Sequence, residues 1–239
     1  MLKYIFTSLS LLLATLSFAQ TDSTAKADTT SDKKPVVKMH VGHQLRFSYD
    51  ISQPIINSFV NTRQSQEFQL DFFVKKEMYA VLEGGWGRAN DNYTDLSYKS
   101  NNSFLRVGFD KSVLQRLFPG DWDMAFIGLR YGIASINRGD ATFTTHDTLW
   151  GNTVGSVPAA SSIAQWIEIT GGVKVELIKG IYAGWNIRGK FLMNKGSFAD
   201  LPPSFISGYG KGEKNSIFDF NFYLSYAIRW KEKAIKQQK

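Results

Sequence analysis

Apolar and polar residues alternate with a period of two through most of this chain. In IEITGGVKVELIKGIYAGWNIRGKF, residues 167–191, large apolar side chains take every second position, and charged residues or glycine fill most of the gaps. Such alternation over eight or more residues is typical of strands with one apolar and one polar face. The pattern recurs along the chain and predicts eight strands, near residues 41–49, 67–74, 79–87, 105–110, 125–133, 167–177, 181–191 and 218–230.

Eight such strands favour a closed barrel over an open sheet. An open sheet leaves two unpaired edges, and closure removes them. Eight antiparallel strands also make a small barrel whose interior is about filled by side chains. We therefore predict an all-β fold, a closed antiparallel transmembrane β-barrel of about eight strands. Alternation alone is equally compatible with a soluble lipocalin-like barrel, in which the apolar face points inward.

The polar face carries acids and bases in balance, which favours the membrane barrel. Charges that are confined in a lumen each need a partner, and glycines on the same face, such as Gly108, Gly128 and Gly132, make room for long side chains. Arg46 lies on this face as well. We predict a lumen charge network of Glu67, Asp71, Glu83, Arg106, Asp110, Arg130, Glu168, Lys174, Glu176, Arg188, Lys190, Asp219 and Arg229.

The connections between the predicted strands alternate in length, which is typical of outer-membrane barrels. With the N-terminus in the periplasm, the shorter connections fall at one end, and the longer ones, 51–62, 89–102, 137–163 and 194–215, at the other. One ambiguity concerns residues 36–90. YDIS (49–52) and FDKS (109–112) resemble each other, and each precedes a helix-like segment. If both lay at the same end, the strand count there would be wrong.

The N-terminal segment predicts export. Residues 1–19 have one lysine, an apolar run and a small-residue ending, the pattern of a cleaved secretory signal peptide. Residues 20–38 read as a disordered leader, 39–230 as the barrel and 231–239 as a basic tail. The chain has no cysteine and a formal net charge of +7, with dispersed cations. We therefore expect an outer-membrane protein whose partners do not include nucleic acid.

Several segments resemble an uncharacterised family of Bacteroidota outer-membrane barrel proteins, a domain of unknown function. The resemblance covers most of the mature chain, and its specificity lies in the order and spacing of the set. It implies a secretory signal and an outer-membrane location, and it implies no catalytic residues. The segments are DISQPI (50–55), FLRVGFD (104–110), FIGLRYG (126–132), QWIEITGGVKVE (165–176) and IYAGWNIRGKF (181–191).

Little in the sequence points to chemistry. We predict no cofactor and no metal site, and GYGKG (208–212) is only a weak match to a phosphate loop. His146 lies beside Asp147 in the longest predicted loop, with Ser156, Ser161 and Ser162 further along. A histidine, an acid and a hydroxyl could form the site of a lipid hydrolase or acyltransferase.

The leading interpretation is a non-enzymatic outer-membrane barrel with a structural or surface-interaction role. Its expected partners are outer-membrane lipids, the barrel-insertion machinery and an unidentified surface ligand. Two alternatives stay open. One is a lipid-modifying enzyme that uses His146, and the other is a narrow channel lined by the lumen charges.

Overall fold

A computed structural model describes residues 42–60, 62–114, 121–149, 151–198 and 201–230. The predicted signal peptide, leader and C-terminal tail lie outside the described residues. Within them the chain forms ten strands, an α-helix and a 3-10 turn at Lys195–Phe198. The strands and the helix are β1 (His43–Asp50), α1 (Ser52–Phe59), β2 (Arg63–Lys75), β3 (Met78–Asn92), β4 (Leu96–Ser112), β5 (Met124–Arg138), β6 (Ala141–Asp147), β7 (Gly151–Val157), β8 (Ala160–Ile178), β9 (Ile181–Leu192) and β10 (Ser216–Trp230).

Eight of these strands close into an antiparallel barrel in the order β1, β2, β3, β4, β5, β8, β9, β10. Closure comes from the pairing of β1 with β10, which runs from His43 opposite Trp230 to Asp50 opposite Tyr223. Every other neighbouring pair is antiparallel as well. The predicted closed eight-stranded β-barrel is confirmed.

The barrel has two unlike ends. Turns 76–77 and 179–180 join strands at the lower end, where β4 also ends and β5 begins. At the upper end lie α1, the β6–β7 hairpin and the described parts of the connection between β9 and β10, residues 193–198 and 201–215. YDIS ends β1 at the upper end and FDKS ends β4 at the lower end, so the two segments lie at opposite ends and three strands occupy residues 43–92.

Two segments that were predicted to be loops contain paired strands. Residues 89–102 were expected to form a loop, but β3 and β4 pair as far as Asn92 opposite Ser97, with only three residues between them. Residues 137–163 were also expected to be a loop. They contain the β6–β7 hairpin, which pairs with β4 through Leu96 and Phe143. The polar residues of these extensions hide the strand period, because neither of their faces is consistently apolar.

The interior is filled in three layers. The upper apolar cluster consists of Phe104, Ala134, Ile136, Ala164, Trp166, Ile206 and Tyr209. The lower apolar cluster consists of Phe73, Tyr79, Trp122, Met124, Phe126, Tyr182 and Ala227. Charged side chains occupy the space between these clusters. Segment 201–215 supplies Ile206 and Tyr209, so it folds into the upper mouth of the barrel.

Glycines on the inner face make room for bulky neighbours. A Cβ at Gly108 would lie 2.8 Å from Cγ of Arg130, and a Cβ at Gly132 would lie 2.7 Å from Nε1 of Trp166. Both distances are too short for real contacts, so these two positions admit only hydrogen. The outer face of the barrel, by contrast, exposes large apolar side chains, among them Leu105, Leu129, Ile169 and Phe222.

Candidate functional site

The barrel interior holds the largest group of buried charges in the described part of the chain. We define the central charge cluster as Glu67, Glu83, Arg106, Asp110, Arg130, Glu168 and Arg188. All seven side chains are almost fully buried. They come from β2, β3, β4, β5, β8 and β9, on the inward positions of the strand alternation. Barrel closure brings together residues that are up to 121 positions apart, such as Glu67 and Arg188.

Glu83 lies at the centre of this cluster. Its carboxylate accepts from Arg188 at 2.8 Å and lies 2.6 Å from a guanidinium nitrogen of Arg106. It also pairs with Arg130, which in turn bonds Asp110 at 3.0 Å. One carboxylate thus compensates part of the charge of three arginines. Removing either kind of partner would leave an uncompensated buried charge.

Glu67 and Glu168 complete the pairing of Arg106 and Arg188. Glu168 lies 3.0 Å from Arg106 and 3.4 Å from Arg188. Glu67 pairs with Arg106 and accepts a hydrogen bond of 2.6 Å from the Tyr223 hydroxyl. Tyr223 was missing from the predicted network, although the alternation of β10 places it on the inner face. Asp50 was also missing from the predicted network, although it is buried at the end of β1. Its carboxylate accepts from Asn221 at 2.6 Å.

The remaining predicted lumen residues lie in three smaller groups. Below the cluster, Asp71 bonds Lys174 at 2.5 Å and lies 3.7 Å from Arg46. Above it, Lys190 bonds Asp219 at 2.7 Å. At the lower rim, Glu176 lies 2.6 Å from Arg229, and both side chains are partly exposed. The structure therefore brings together all thirteen residues inside the barrel wall or at its rim, but as separate groups rather than one network.

Segment 201–215 contributes acceptors to the cluster from above. The backbone oxygen of Gly208 accepts from Lys190 at 2.7 Å and from Arg106 at 3.3 Å. GYGKG thus presents carbonyl oxygens to cations, which is the opposite of a phosphate loop, where backbone N–H groups face the ligand. Trp166 donates to Glu168 at 2.6 Å and packs near Tyr209.

His146 pairs with residues other than the expected Asp147. Its Nε2 bonds Oδ1 of Asp95 at 2.8 Å, and its Nδ1 bonds Oδ1 of Asn152 at 2.8 Å. Asp147 instead accepts from the backbone N–H of Leu149. The expected pairing is wrong because neighbours on a strand point to opposite faces. Asp95 belongs to the β3–β4 turn and could not be found by proximity in sequence.

The residues expected to form a hydrolase triad with His146 are not its hydrogen-bond partners. Its two ring nitrogens lie 2.8 Å from Oδ1 of Asn152 and 2.8 Å from Oδ1 of Asp95, so both are engaged in hydrogen bonds. Ser156 lies opposite Thr142, four residues along the hairpin from the partner of His146. Ser161 donates to Asn137. In the described part of the chain, no group of three or more His, Cys, Asp or Glu is arranged to hold a metal ion.

The comparisons with known proteins give a family and no activity. The family model described as Domain of unknown function (DUF6048) matches residues 1–233. The chain belongs to the DUF6048 family. No curated protein matches this DUF6048 chain. Among solved structures, it is similar to the N-terminal β-barrel domain of Pseudomonas aeruginosa OprF, at 9% identity and a TM-score of 0.33. That similarity covers 79% of this chain and 98% of the OprF domain. The TM-score is too low for the similarity to support a functional conclusion.

Glu83→Gln is expected to destabilise the barrel strongly, because it leaves three buried arginines with one carboxylate fewer. Breaking a buried ion pair on one side costs about 3–5 kcal/mol. Urea unfolding in detergent, followed by tryptophan fluorescence, measures the change in the free energy of unfolding. Glu213→Gln, at an exposed loop position, is the control and should be nearly neutral. Equal stability of Glu83→Gln and the control would contradict the role assigned to Glu83.

The pairing of His146 should make the β6–β7 hairpin sensitive to pH. The hydrogen bonds to Asn152 and then to Asp95, together with the charge of Asp95, raise the pKa of His146 above its usual value of 6.5. Because the pKa of His146 is higher in the folded than in the unfolded chain, the pairing stabilises the hairpin fully at pH values below the unfolded-state pKa. This stabilisation is lost as the pH rises through the folded-state pKa. Hydrogen exchange at the Thr144 N–H, which bonds the Asp95 carbonyl, should therefore quicken above that pH beyond its ordinary pH dependence.

Asp95→Asn is the matched variant for this test. It keeps the shape of the side chain but removes the charge, so the pKa of His146 should fall toward its usual value in an NMR titration. The pH at which hydrogen exchange of the Thr144 N–H quickens should fall together with the pKa of His146. An unchanged His146 titration in Asp95→Asn would contradict the assigned pairing.

Proposed function

We propose that this chain is an outer-membrane β-barrel protein with a non-enzymatic structural or surface-interaction role. The observation that carries this proposal is the inverted distribution of side chains. Apolar residues cover the outside of the barrel, and the charges lie inside. A closed barrel is one of the two folds that satisfy all backbone hydrogen bonds within a bilayer.

The outer face of the barrel fits lipid better than water. On β4, β5, β8, β9 and β10, several successive outward-facing residues are apolar. Many of these side chains are about half exposed. Soluble monomers rarely expose contiguous apolar patches larger than a few hundred Å². Aromatic side chains at the lower rim, His43, Phe72 and Trp230, stack on one another, as expected of an interfacial aromatic girdle.

The orientation and the partners follow from this placement. The lower end, with its short turns, the start of β1 and the end of β10, would face the periplasm, and the upper end the exterior. The predicted signal peptide supports export, and the family resemblance supports a host among the Bacteroidota. Outer-membrane lipids and the barrel-insertion machinery are the expected partners, and the upper segments would present any surface ligand site. None of the helices that the structure describes is long and apolar enough to cross a membrane.

The two alternatives have less support. The channel is disfavoured because two apolar clusters and the central charge cluster fill the barrel at three levels. The lipid-modifying enzyme has less support because both ring nitrogens of His146 are engaged by Asn152 and Asp95. The expected acid, Asp147, is not a partner of His146 and accepts from the Leu149 N–H.

Leu129→Arg tests membrane insertion directly. Leu129 points outward near the middle of β5, so an arginine there should cost about 2–4 kcal/mol of stability in a bilayer. Leu149→Arg, at the more exposed tip of the β6–β7 hairpin, is the control and should be neutral. Urea unfolding from lipid vesicles measures both variants. In addition, unboiled and boiled wild-type samples should migrate differently on a denaturing gel. Two neutral variants, with the protein in the soluble fraction, would overturn the proposal.

Planar-bilayer recording tests the channel alternative. Because the lumen is filled at three levels, the wild-type protein should show no stable conductance steps above the leak of the bilayer. Steady conductance that disappears in Arg188→Ala would instead support the channel, since Arg188 lies in the central charge cluster.

A further inference from the structure

Strand β1 is too short to fill the barrel wall between its two neighbours. Its pairing with β2 ends at Tyr49, and its pairing with β10 ends at Asp50, whereas β2 begins at Arg63 and β10 at Ser216. The first five residues of β2 and the first seven of β10 therefore have no strand on this side. At about 3.3 Å per residue, the gap extends roughly 16–23 Å along the wall.

Helix α1 lies in this gap in place of a strand. Asp50 starts the helix by accepting from the backbone N–H of Ser52 at 2.9 Å. Pro54 then prevents β1 from continuing, because proline has no N–H to give to a strand ladder. Asn57 connects the helix to β2. Its Nδ2 donates to the Ser65 carbonyl at 2.9 Å, and its Oδ1 accepts from the Ser65 N–H at 3.1 Å. One side-chain amide thus replaces the backbone of the missing strand.

The outer surface of the helix continues the apolar exterior of the barrel. Ile51, Ile55 and Phe59 are spaced four residues apart, so they lie on one side of the helical turn. All three are exposed, Phe59 at 84%. On the neighbouring β10, Phe218 and Phe220 point outward in the same way. The helix therefore presents a lipid-compatible stripe at the gap.

A cavity of about 260 Å³ lies behind the helix. Ile56 and Asn57 line it from α1, and Glu67 lines it from the inner face of β2. On β10 both Phe218 and Asp219 line it. Consecutive strand residues point to opposite faces of the wall. A cavity that contacts both of them reaches from the barrel interior to the outer surface through the gap.

The lining of this cavity is cationic and partly apolar. Arg63, Lys190, Lys211 and Lys214 contribute four cations. Lys190 is paired with Asp219, and Glu67 is engaged by arginines of the central charge cluster. Within the described part of the chain, the other three cations form no salt bridge with a carboxylate. Apolar lining comes from Ile56, Phe205 and Ile217.

We propose that this cavity binds an anionic lipid, with its phosphate on Arg63, Lys211 and Lys214 and its acyl chain leaving the wall beside α1. A lipid suits the site because the cavity opens toward the apolar exterior, and a phosphate suits the three cations that lack a carboxylate partner. The central charge cluster closes the floor of the cavity, so a bound lipid is held at the wall and not passed through the barrel. This proposal rests on the membrane insertion proposed above.

Native mass spectrometry of the detergent-purified full chain tests the charge requirement. Dimyristoyl phosphatidylglycerol should bind with one molecule per barrel and should be retained more strongly than dimyristoyl phosphatidylcholine. The triple variant Arg63→Gln, Lys211→Gln, Lys214→Gln should lose about tenfold in affinity for phosphatidylglycerol, a loss of about 1.4 kcal/mol. The matched control Lys99→Gln, Lys179→Gln, Lys195→Gln removes three exposed cations elsewhere and should bind as the wild type does.

A pair of neighbouring substitutions tests the location. Ile56→Trp fills the cavity from inside and should abolish the bound phosphatidylglycerol. Ile55→Trp places the same side chain on the outer stripe and should leave it bound. Unboiled gel mobility of each variant shows whether the barrel is folded. It also separates a failure of this proposal from a failure of membrane insertion.

Three outcomes would overturn the proposal. The first is equal retention of phosphatidylglycerol and phosphatidylcholine. The second is wild-type binding by both the triple variant and folded Ile56→Trp. The third is binding of inorganic phosphate that is lost in the triple variant while the wild type retains no phosphatidylglycerol, because it would identify a site for a free anion instead of a lipid.

Discussion

The structure depends on the compensation of charge inside a closed wall. An eight-stranded barrel has an interior just wide enough for side chains, so whatever the inner positions carry must be packed and paired there. Here they carry arginines, and Glu83 pairs with three of them. The arginine side chains need space as well as partners, which is why inward positions such as Gly108 have no side chain.

The same arrangement explains why the outside can be apolar. A soluble barrel uses its apolar face to fill its interior, and its charged face meets water. In this chain the interior is filled by paired charges between two apolar clusters, so the outward apolar residues contribute nothing to the core. In the membrane insertion proposed above, lipid covers these residues. For this reason the charge cluster and the proposed membrane location are two consequences of one distribution of residues.

The sequence predicted the parts of the structure that obey the strand period. Inward residues such as Glu168 and Arg188 could be assigned to the lumen by counting, because each strand keeps its alternation through the apolar zone. Beyond that zone both faces are polar, so the extensions of β3 and β4 and the β6–β7 hairpin could not be distinguished from loops. Contacts between segments that are distant in the sequence could not be predicted either. Asp95 lies 51 residues from His146, and nothing local indicates that the two meet.

The helix-like segment after YDIS was recognisable in the sequence and forms α1, but its position in the barrel wall was not predicted. A strand that runs past Asp50 would need a backbone donor at Pro54, and it has none. Asp50 supplies a helix start instead, so the chain leaves the sheet five to seven residues before the wall would be complete. The barrel then closes its upper wall with side chains, chiefly Asn57 on Ser65. Two hydrogen bonds from one amide hold less tightly than a ladder of several residues, so this seam is the part of the wall where a cavity can reach the exterior.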